Sequence, residues 1–193
     1  MENLTDPSFS LTAVLTTDEL ASRRSRSPDL DRVNNAYIAL LSGRLYSPEA
    51  LLQRFAELLL EVCNGHSAGV SILEEENRRQ VFRWHALAGV YASYRWGIMP
   101  RYASPCGVVL NTEAVQLFKY PERHFPYSIP LEPPICEALL TPFRLNGNVI
   151  GTAWVIAHDE NRQFDEEDLR RMENLLRLTA VSYDIALKRH ETS

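Results

Sequence analysis

The chain has 193 residues, 45% of them hydrophobic, which suffices for one well-buried domain with appended segments and not for two full domains. A formal net charge of -5 and a pI near 5.6 provide no basic stripe for nucleic acid, and no apolar run approaches the ~20 residues that cross a bilayer. Neither nucleic acid nor membrane is expected as a partner. With no signal-peptide pattern near Met1 and three scattered cysteines (Cys63, Cys106, Cys136), a cytoplasmic protein with reduced thiols is expected.

Residues 1–27 hold no sustained period beyond a transient helix near Leu11–Leu20 and read as a mobile tail, with Arg23-Arg24-Ser25-Arg26 as a solvated basic cluster. A leading segment, 28–46, carries Val33, Tyr37, Ile38 and Leu41 at helical spacing. Ser47-Pro48 then opens a second helix with a capping serine and a proline in the first turn. Its apolar stripe runs through Leu51, Leu52, Phe55, Leu58, Leu59 and Val62, and Asn64-Gly65 stops it.

Ala68–Leu73 and Gln80–Ala88 read as a β-hairpin across a charged turn at residues 74–78. Strict alternation would place Phe82, Trp84 and Ala86 on one face, opposite Arg83 and His85. The following stretch, Gly89–Pro134, concentrates aromatic residues and prolines. It is too apolar for a solvated linker, and its prolines deny it regular ladder bonds, so it is predicted to fold over the sheet as a lid. At its centre stands Ser104-Pro105-Cys106-Gly107.

Glu137–Leu145 and Val149–His158 form a second predicted hairpin around Asn146-Gly147, a dipeptide suited to the positive backbone angles of a tight turn. Alternation would group Ile150, Trp154 and Ile156 against Val149, Val155 and Ala157. Strands apolar on both faces require cover on both sides, helices on one and the lid on the other. Asp165, with Asp168 three residues on, caps a last helix running to about Arg189, ahead of a short tail at 190–193. That helix carries one stripe through Leu169, Met172, Leu176, Thr179, Tyr183 and Leu187. Leu175, Leu178 and Ile185 add a second, which suggests a partner helix.

This order of elements, with Gly147-Asn148-Val149-Ile150-Gly151-Thr152 and Phe164-Asp165-Glu166-Glu167-Asp168, resembles a GAF domain across roughly 47–189. Ser104-Pro105-Cys106-Gly107, Pro121-Glu122-Arg123-His124-Phe125-Pro126-Tyr127 and Trp154-Val155-Ile156-Ala157-His158-Asp159-Glu160 look like a bacterial branch often joined to sensor histidine kinases. The resemblance implies an α+β fold: an antiparallel sheet of about five or six strands, helices on one face, and a small-molecule cavity under the lid on the other. The ligand is not identified by it. Cys106 is followed by Gly107 where a bilin-attaching relative has histidine, which argues against covalent bilin. The stretch from Asn161 to Asp168 partly matches a cyclic-nucleotide signature whose closing acidic residue is here Leu169, and it also reads as a turn and helix cap.

The candidate ligand-binding residues are Trp84, Tyr94, Trp96, Cys106, His124, Phe125, Tyr127, Glu137, Trp154 and His158. Cys106 is either a thiol activated by a helix N-terminus or a buried structural thiol. His124 suits an anion or metal, or a satisfied loop, and His158 a cavity rim or a turn. Glu137 is either an exposed strand end or a buried carboxylate needing Arg101, Arg123 or a ligand. The aromatic residues suit either a core or a flat ligand. No metal motif and no phosphate loop is present in the sequence. Three functions stay open. The first is a sensory module acting through a homodimer of terminal helices on a histidine kinase or other effector. The second is a Cys106-dependent reductase resembling those that act on free methionine sulfoxide, with Cys63 or Cys136 resolving. The third is a ligand-free dimerisation module.

Overall fold

The Ser47 hydroxyl accepts from the amide of Ala50 at 3.2 Å and starts α3 (Pro48–Cys63), which ends where Asn64 turns left-handed at φ 48°. In this computed structural model, which describes residues 10–27, 29–42, 47–126 and 131–191, each predicted stop and start falls within a few residues of its place. Before α3 come α1 (Leu11–Val14), a 3-10 turn at Thr17–Ser22 and α2 (Leu30–Ser42). After it come β1 (Ser67–Glu76), β2 (Arg79–Gly89), a 3-10 turn at Val90–Tyr94, β3 (Ile98–Pro100), α4 (Pro105–Thr112) and β4 (Gln116–Lys119). A 3-10 turn at Pro121–Arg123, β5 (Glu137–Leu145), β6 (Asn148–Ala157) and α5 (Glu166–Glu191) complete the chain.

The six strands form one antiparallel sheet in the order β3-β2-β1-β6-β5-β4. Both hairpins turn on left-handed pairs, Asn77-Arg78 at φ 51° and 63° and Asn146-Gly147 at φ 51° and 84°, matching the twist of the strands they join. The α+β architecture is as expected: α3 and α5, backed by α2, cover one face; the expected lid is split, since β3 and β4 within 89–134 pair as the two edge strands of the sheet and the rest of the segment, with α4, covers the other face. Two separate apolar cores result. Phe55, Leu59, Phe143, Val155, Phe164, Met172 and Leu175 lie on the helix side. Phe82, Trp84, Tyr91, Cys106, Phe118, Phe125 and Trp154 lie on the lid side.

Strict alternation fails at two places. The register of β1 on β2 shifts between Val70 and Ser71, so His85 is an extra residue, and Ala86 turns to the helix side while Trp84 keeps to the lid side. The register of β5 on β6 shifts between Phe143 and Arg144, which makes Ile150 the extra residue and sends it to the helix side, away from Trp154 and Ile156.

Residues 10–27 are packed, where the sequence alone predicts a mobile tail. Leu15 bridges to Phe118, the Thr16 amide donates to the Leu117 carbonyl at 2.8 Å, and the Leu117 amide donates to Thr17 Oγ1 at 3.0 Å. The segment thereby covers the β4 edge of the sheet. Val14 enters the lid-side core and Leu20 the helix-side core.

The basic cluster is likewise engaged and not a solvated run. Arg23 pairs with Glu137 at 2.8 Å, and Arg26 pairs with Asp168 at 2.6 Å and Asp165 at 3.3 Å. Asp165 and Asp168 accept each other's amides at 3.0 Å, a complete capping box built from two aspartates. Burial raises the Asp168 carboxyl pKa despite Arg162 at 2.7 Å, and this is the burden the arginines offset.

The second stripe on α5 also finds its partner within the chain. Leu175 is wholly buried and Leu178 partly so, in the core that α2 helps to close. Val181 and Ile185 stay exposed, as do Leu30, Ile38 and Leu41 on α2. α5 continues to Glu191, past the start of the expected tail at 190. Among the described residues, no helix is long and apolar enough to cross a membrane.

Candidate functional site

Between the sheet and the lid lies a cavity of about 40 Å³. Its floor is Trp84 from β2, Ala138 and Leu140 from β5, and Trp154 and Ile156 from β6. Its roof is Tyr91, Met99, Pro105 and Cys106 from the first half of the lid, with Pro121 and Leu131 from the second and Ile135 just after it. The wall is almost wholly apolar.

Gly69 makes the floor possible. A Cβ there would lie 2.5 Å from Cζ2 of Trp154 and 2.6 Å from the carbonyl oxygen of Ala86, so the indole lies flat only over a residue without a side chain. Trp154 then meets Trp84 edge-on at 6.2 Å, Trp84 meets Tyr94 at 6.5 Å, and Tyr94 meets Tyr91 at 5.4 Å. These edge-to-face contacts form a continuous aromatic chain from floor to roof.

A small polar cluster is buried beneath it. The indole Nε1 of Trp154 donates to Ser71 Oγ at 2.9 Å, Thr152 Oγ1 donates to Cys106 Sγ at 3.1 Å, and Cys106 Sγ in turn faces Ser71 Oγ at 3.8 Å. Cys106 lies in the first turn of α4, whose cap is Ser104 Oγ accepting from Gly107 N at 3.2 Å. Burial outweighs these hydrogen bonds and raises the thiol pKa, the opposite of what an activating helix N-terminus would do. Cys63 belongs to the core on the opposite side of the sheet, where it cannot resolve a bond to Cys106.

The lid is tied down at its second half. Tyr91 Oη donates to the Pro133 carbonyl at 2.5 Å, and Tyr94 Oη accepts from the Glu132 amide at 3.2 Å. His158 faces the Pro134 carbonyl with Nδ1 at 3.0 Å and Ser67 Oγ with Nε2 at 2.8 Å. A carbonyl only accepts, so Nδ1 carries the proton and Nε2 accepts from Ser67, which itself accepts the Tyr91 amide at 3.1 Å. Burial lowers the His158 pKa, which favours this neutral form.

Of the ten expected residues, the structure brings Trp84, Cys106 and Trp154 to the cavity wall. Tyr94 and His158 stand behind Tyr91 as its ring neighbours, at 5.4 and 4.5 Å. Phe125 is buried in the lid-side core against Phe118, with His124 packed edge-on to it at 4.7 Å, and neither lines the cavity. Trp96 is 47% exposed on the outside, between Arg95 and His85. Glu137 points to the helix side, where it meets Arg23 and not Arg101 or Arg123, and its Oε2 accepts the Phe164 amide at 2.7 Å. Tyr127 lies outside the described residues.

Tyr91, Met99, Ala138, Leu140 and Ile156 are wall residues that the sequence reading passed over. Alternation in β5 and β6 would have found the last three, since they share the face of Trp154. Ser71 and Thr152 carried a weaker signal, as hydroxyls within apolar strands. Among the described residues no group of three His, Cys, Asp or Glu side chains is placed to hold a metal ion.

No curated protein sequence matches the chain. Solved structures do. The GAF domain of an Acinetobacter phosphoenolpyruvate-protein phosphotransferase superposes with a TM-score of 0.67 at 17% identity, over 82% of this chain and 94% of its own. The second GAF domain of DevS from Mycobacterium smegmatis gives 0.62 at 18%, over 76% and 100%. Free methionine-R-sulfoxide reductase from Neisseria meningitidis, solved with its substrate, gives 0.64 at 15%, over 86% and 97%. Identities this low carry the fold alone. The GAF domain family model matches residues 46–182, a span that holds the six strands, the lid and most of the helical cover, and the chain belongs to the GAF domain family.

Proposed function

We propose that this protein is a sensory or regulatory module that binds a small molecule between the sheet and the lid, within bacterial signal transduction. The observation that carries the reading is the apolar cavity roofed in part by residues 131–135, a stretch held by side-chain hydrogen bonds from Tyr91, Tyr94 and His158. Such a roof opens at modest cost and closes on a ligand, which biases the sheet below it. β1 and β6 pass that bias to α3, and β5 passes it to α5, both packed on the other face. Output then runs through a homodimer using Leu30, Ile38, Leu41, Val181 and Ile185, the apolar residues α2 and α5 leave exposed, to a histidine kinase or other effector.

Native mass spectrometry of freshly purified protein, followed by a screen of small metabolites read through tryptophan fluorescence, tests this. Trp84 and Trp154 line the cavity, so occupancy alters emission, and hydrogen exchange in α5 changes with it. A persistently ligand-free mass and unaltered exchange across the screen would refute sensing and leave a dimerisation module. The reductase reading has less support, because Cys106 is buried, its burial raises the thiol pKa, and Cys63 lies across the sheet.

A further inference from the structure

We propose that the ligand of this cavity is a small uncharged apolar molecule, of the size and polarity of a short alkene or thioether, and not an ion or a phosphate- or carboxylate-bearing metabolite. The inference rests on the cavity being the binding site. Its described wall consists of aromatic, aliphatic, proline and sulfur side chains, with no charged or amide side chain among them. An ion entering there would give up its hydration and meet no opposite charge. Aromatic faces do attract a cation, but without a carboxylate on the wall that attraction does not offset its desolvation.

The polar atoms the wall does possess are engaged elsewhere. Trp154 Nε1 donates to Ser71 Oγ at 2.9 Å, Tyr91 Oη to the Pro133 carbonyl at 2.5 Å, and Cys106 Sγ accepts from Thr152 Oγ1 at 3.1 Å. The floor strands β2, β5 and β6 are each paired on both sides, so their backbone groups are bonded within the sheet, and Pro105 and Pro121 have no N–H to offer. What is left, the indole N–H of Trp84 and a lone pair on Tyr91 Oη, cannot replace the hydration of a carboxylate, phosphate or ammonium group. Ala138 sets the vacancy. Its ladder partners are Phe118 on β4 and Ile156 on β6, so the smallest side chain of the wall stands between two large ones. With the lid closed, about 40 Å³ is room for on the order of three or four non-hydrogen atoms, and walls this apolar do not hold water against such a guest.

The test is a tryptophan-fluorescence titration of the full chain with isobutene, acetamide, acetate and trimethylammonium, which have equal numbers of non-hydrogen atoms and differ in polarity and charge. Isobutene is expected to saturate with a Kd on the order of 1 mM, and the other three to bind about tenfold or more weakly. Ala138→Val places two methyl groups in the vacancy and should weaken isobutene about tenfold, with an equal or higher urea midpoint because it fills a void. Ile156→Val, which widens the same wall by one carbon, should shift preference several-fold towards the larger 2-methyl-2-butene, and it serves if Ala138→Val does not fold. Tighter binding of acetamide, acetate or trimethylammonium overturns the apolar assignment and leaves the cavity as a binding site. Isobutene affinity unchanged by Ala138→Val, or a preference unmoved by Ile156→Val, overturns the placement of the apolar guest in this cavity. Saturation by none of the probes overturns the cavity as a binding site together with the assignment.

Discussion

Arg23 and Glu137, 114 residues apart in the chain, form an ion pair at 2.8 Å on the helix side of the sheet, both with little exposure. Arg23 Nη1 also donates to the Phe164 carbonyl at 2.7 Å, and Glu137 accepts the Phe164 amide, so one pair holds both backbone polar groups of a single residue just before α5. Removing either partner strands a buried charge. Arg23→Ala is expected to destabilise the fold by about 3 kcal/mol, read as a lower midpoint in urea. Replacing both residues with apolar ones should recover part of the loss, and an unchanged midpoint for Arg23→Ala would show that the pair is not formed in solution.

Gly69→Ala tests the floor of the cavity. The added methyl group meets Trp154 and the Ala86 carbonyl well inside contact distance, so backbone or indole must move, at a cost of about 1–3 kcal/mol. The near-ultraviolet circular dichroism of the tryptophans should change with it. Retention of both spectrum and stability would place the indole elsewhere.

Thiol labelling separates the cysteines by their surroundings. Burial raises the pKa values of Cys63 and Cys106 and shields both, whereas Cys136 is only partly covered. A disulfide reagent on the native protein is expected to modify Cys136 alone, and all three cysteines only after unfolding. Rapid native labelling of Cys106, mapped by peptide mass, would revive its reading as a reactive group.

Acid should loosen the lid. Because burial depresses the folded pKa of His158, the unfolded chain takes up the proton first as pH falls. The stability it contributes is complete above the ordinary imidazole value of 6.5 and is lost as pH falls from there through the lower folded value. His66 and Asp159 act on it from the bend before β1 and the turn after β6, with opposite signs. Urea midpoints followed from neutral pH into this window should decline, and His158→Asn should flatten the decline. Equal slopes in the two proteins would remove His158 from the account.

The elements were legible wherever local chemistry sets them. Ser47-Pro48, Asn64-Gly65 and Asn146-Gly147 act within a turn, and each performs as its residue types dictate. The extra residues at His85 and Ile150 carried no such mark, because a bulge depends on the partner strand's register and not on the bulged strand's own pattern. The same holds for Arg23 and Arg26, the partners that the segment before α2 supplies to Glu137 and Asp168. Density of aromatic residues pointed to Trp84 and Trp154, which line the cavity. It misplaced Trp96, which adopts a left-handed backbone at φ 71° and faces outward. Composition alone cannot tell a wall residue from one on the rim.

The cover that residues 10–27 provide at the β4 edge separates the boundary of the family from the boundary of the folding unit. A fragment cut at 46–182 would keep every strand, yet it would open the lid-side core at Val14 and deprive Glu137 of Arg23 and Asp168 of Arg26. The strand edge at Leu117 would be free to pair with a neighbouring molecule. Self-association or poor solubility of such a fragment would therefore report an amputated edge rather than a property of the intact chain.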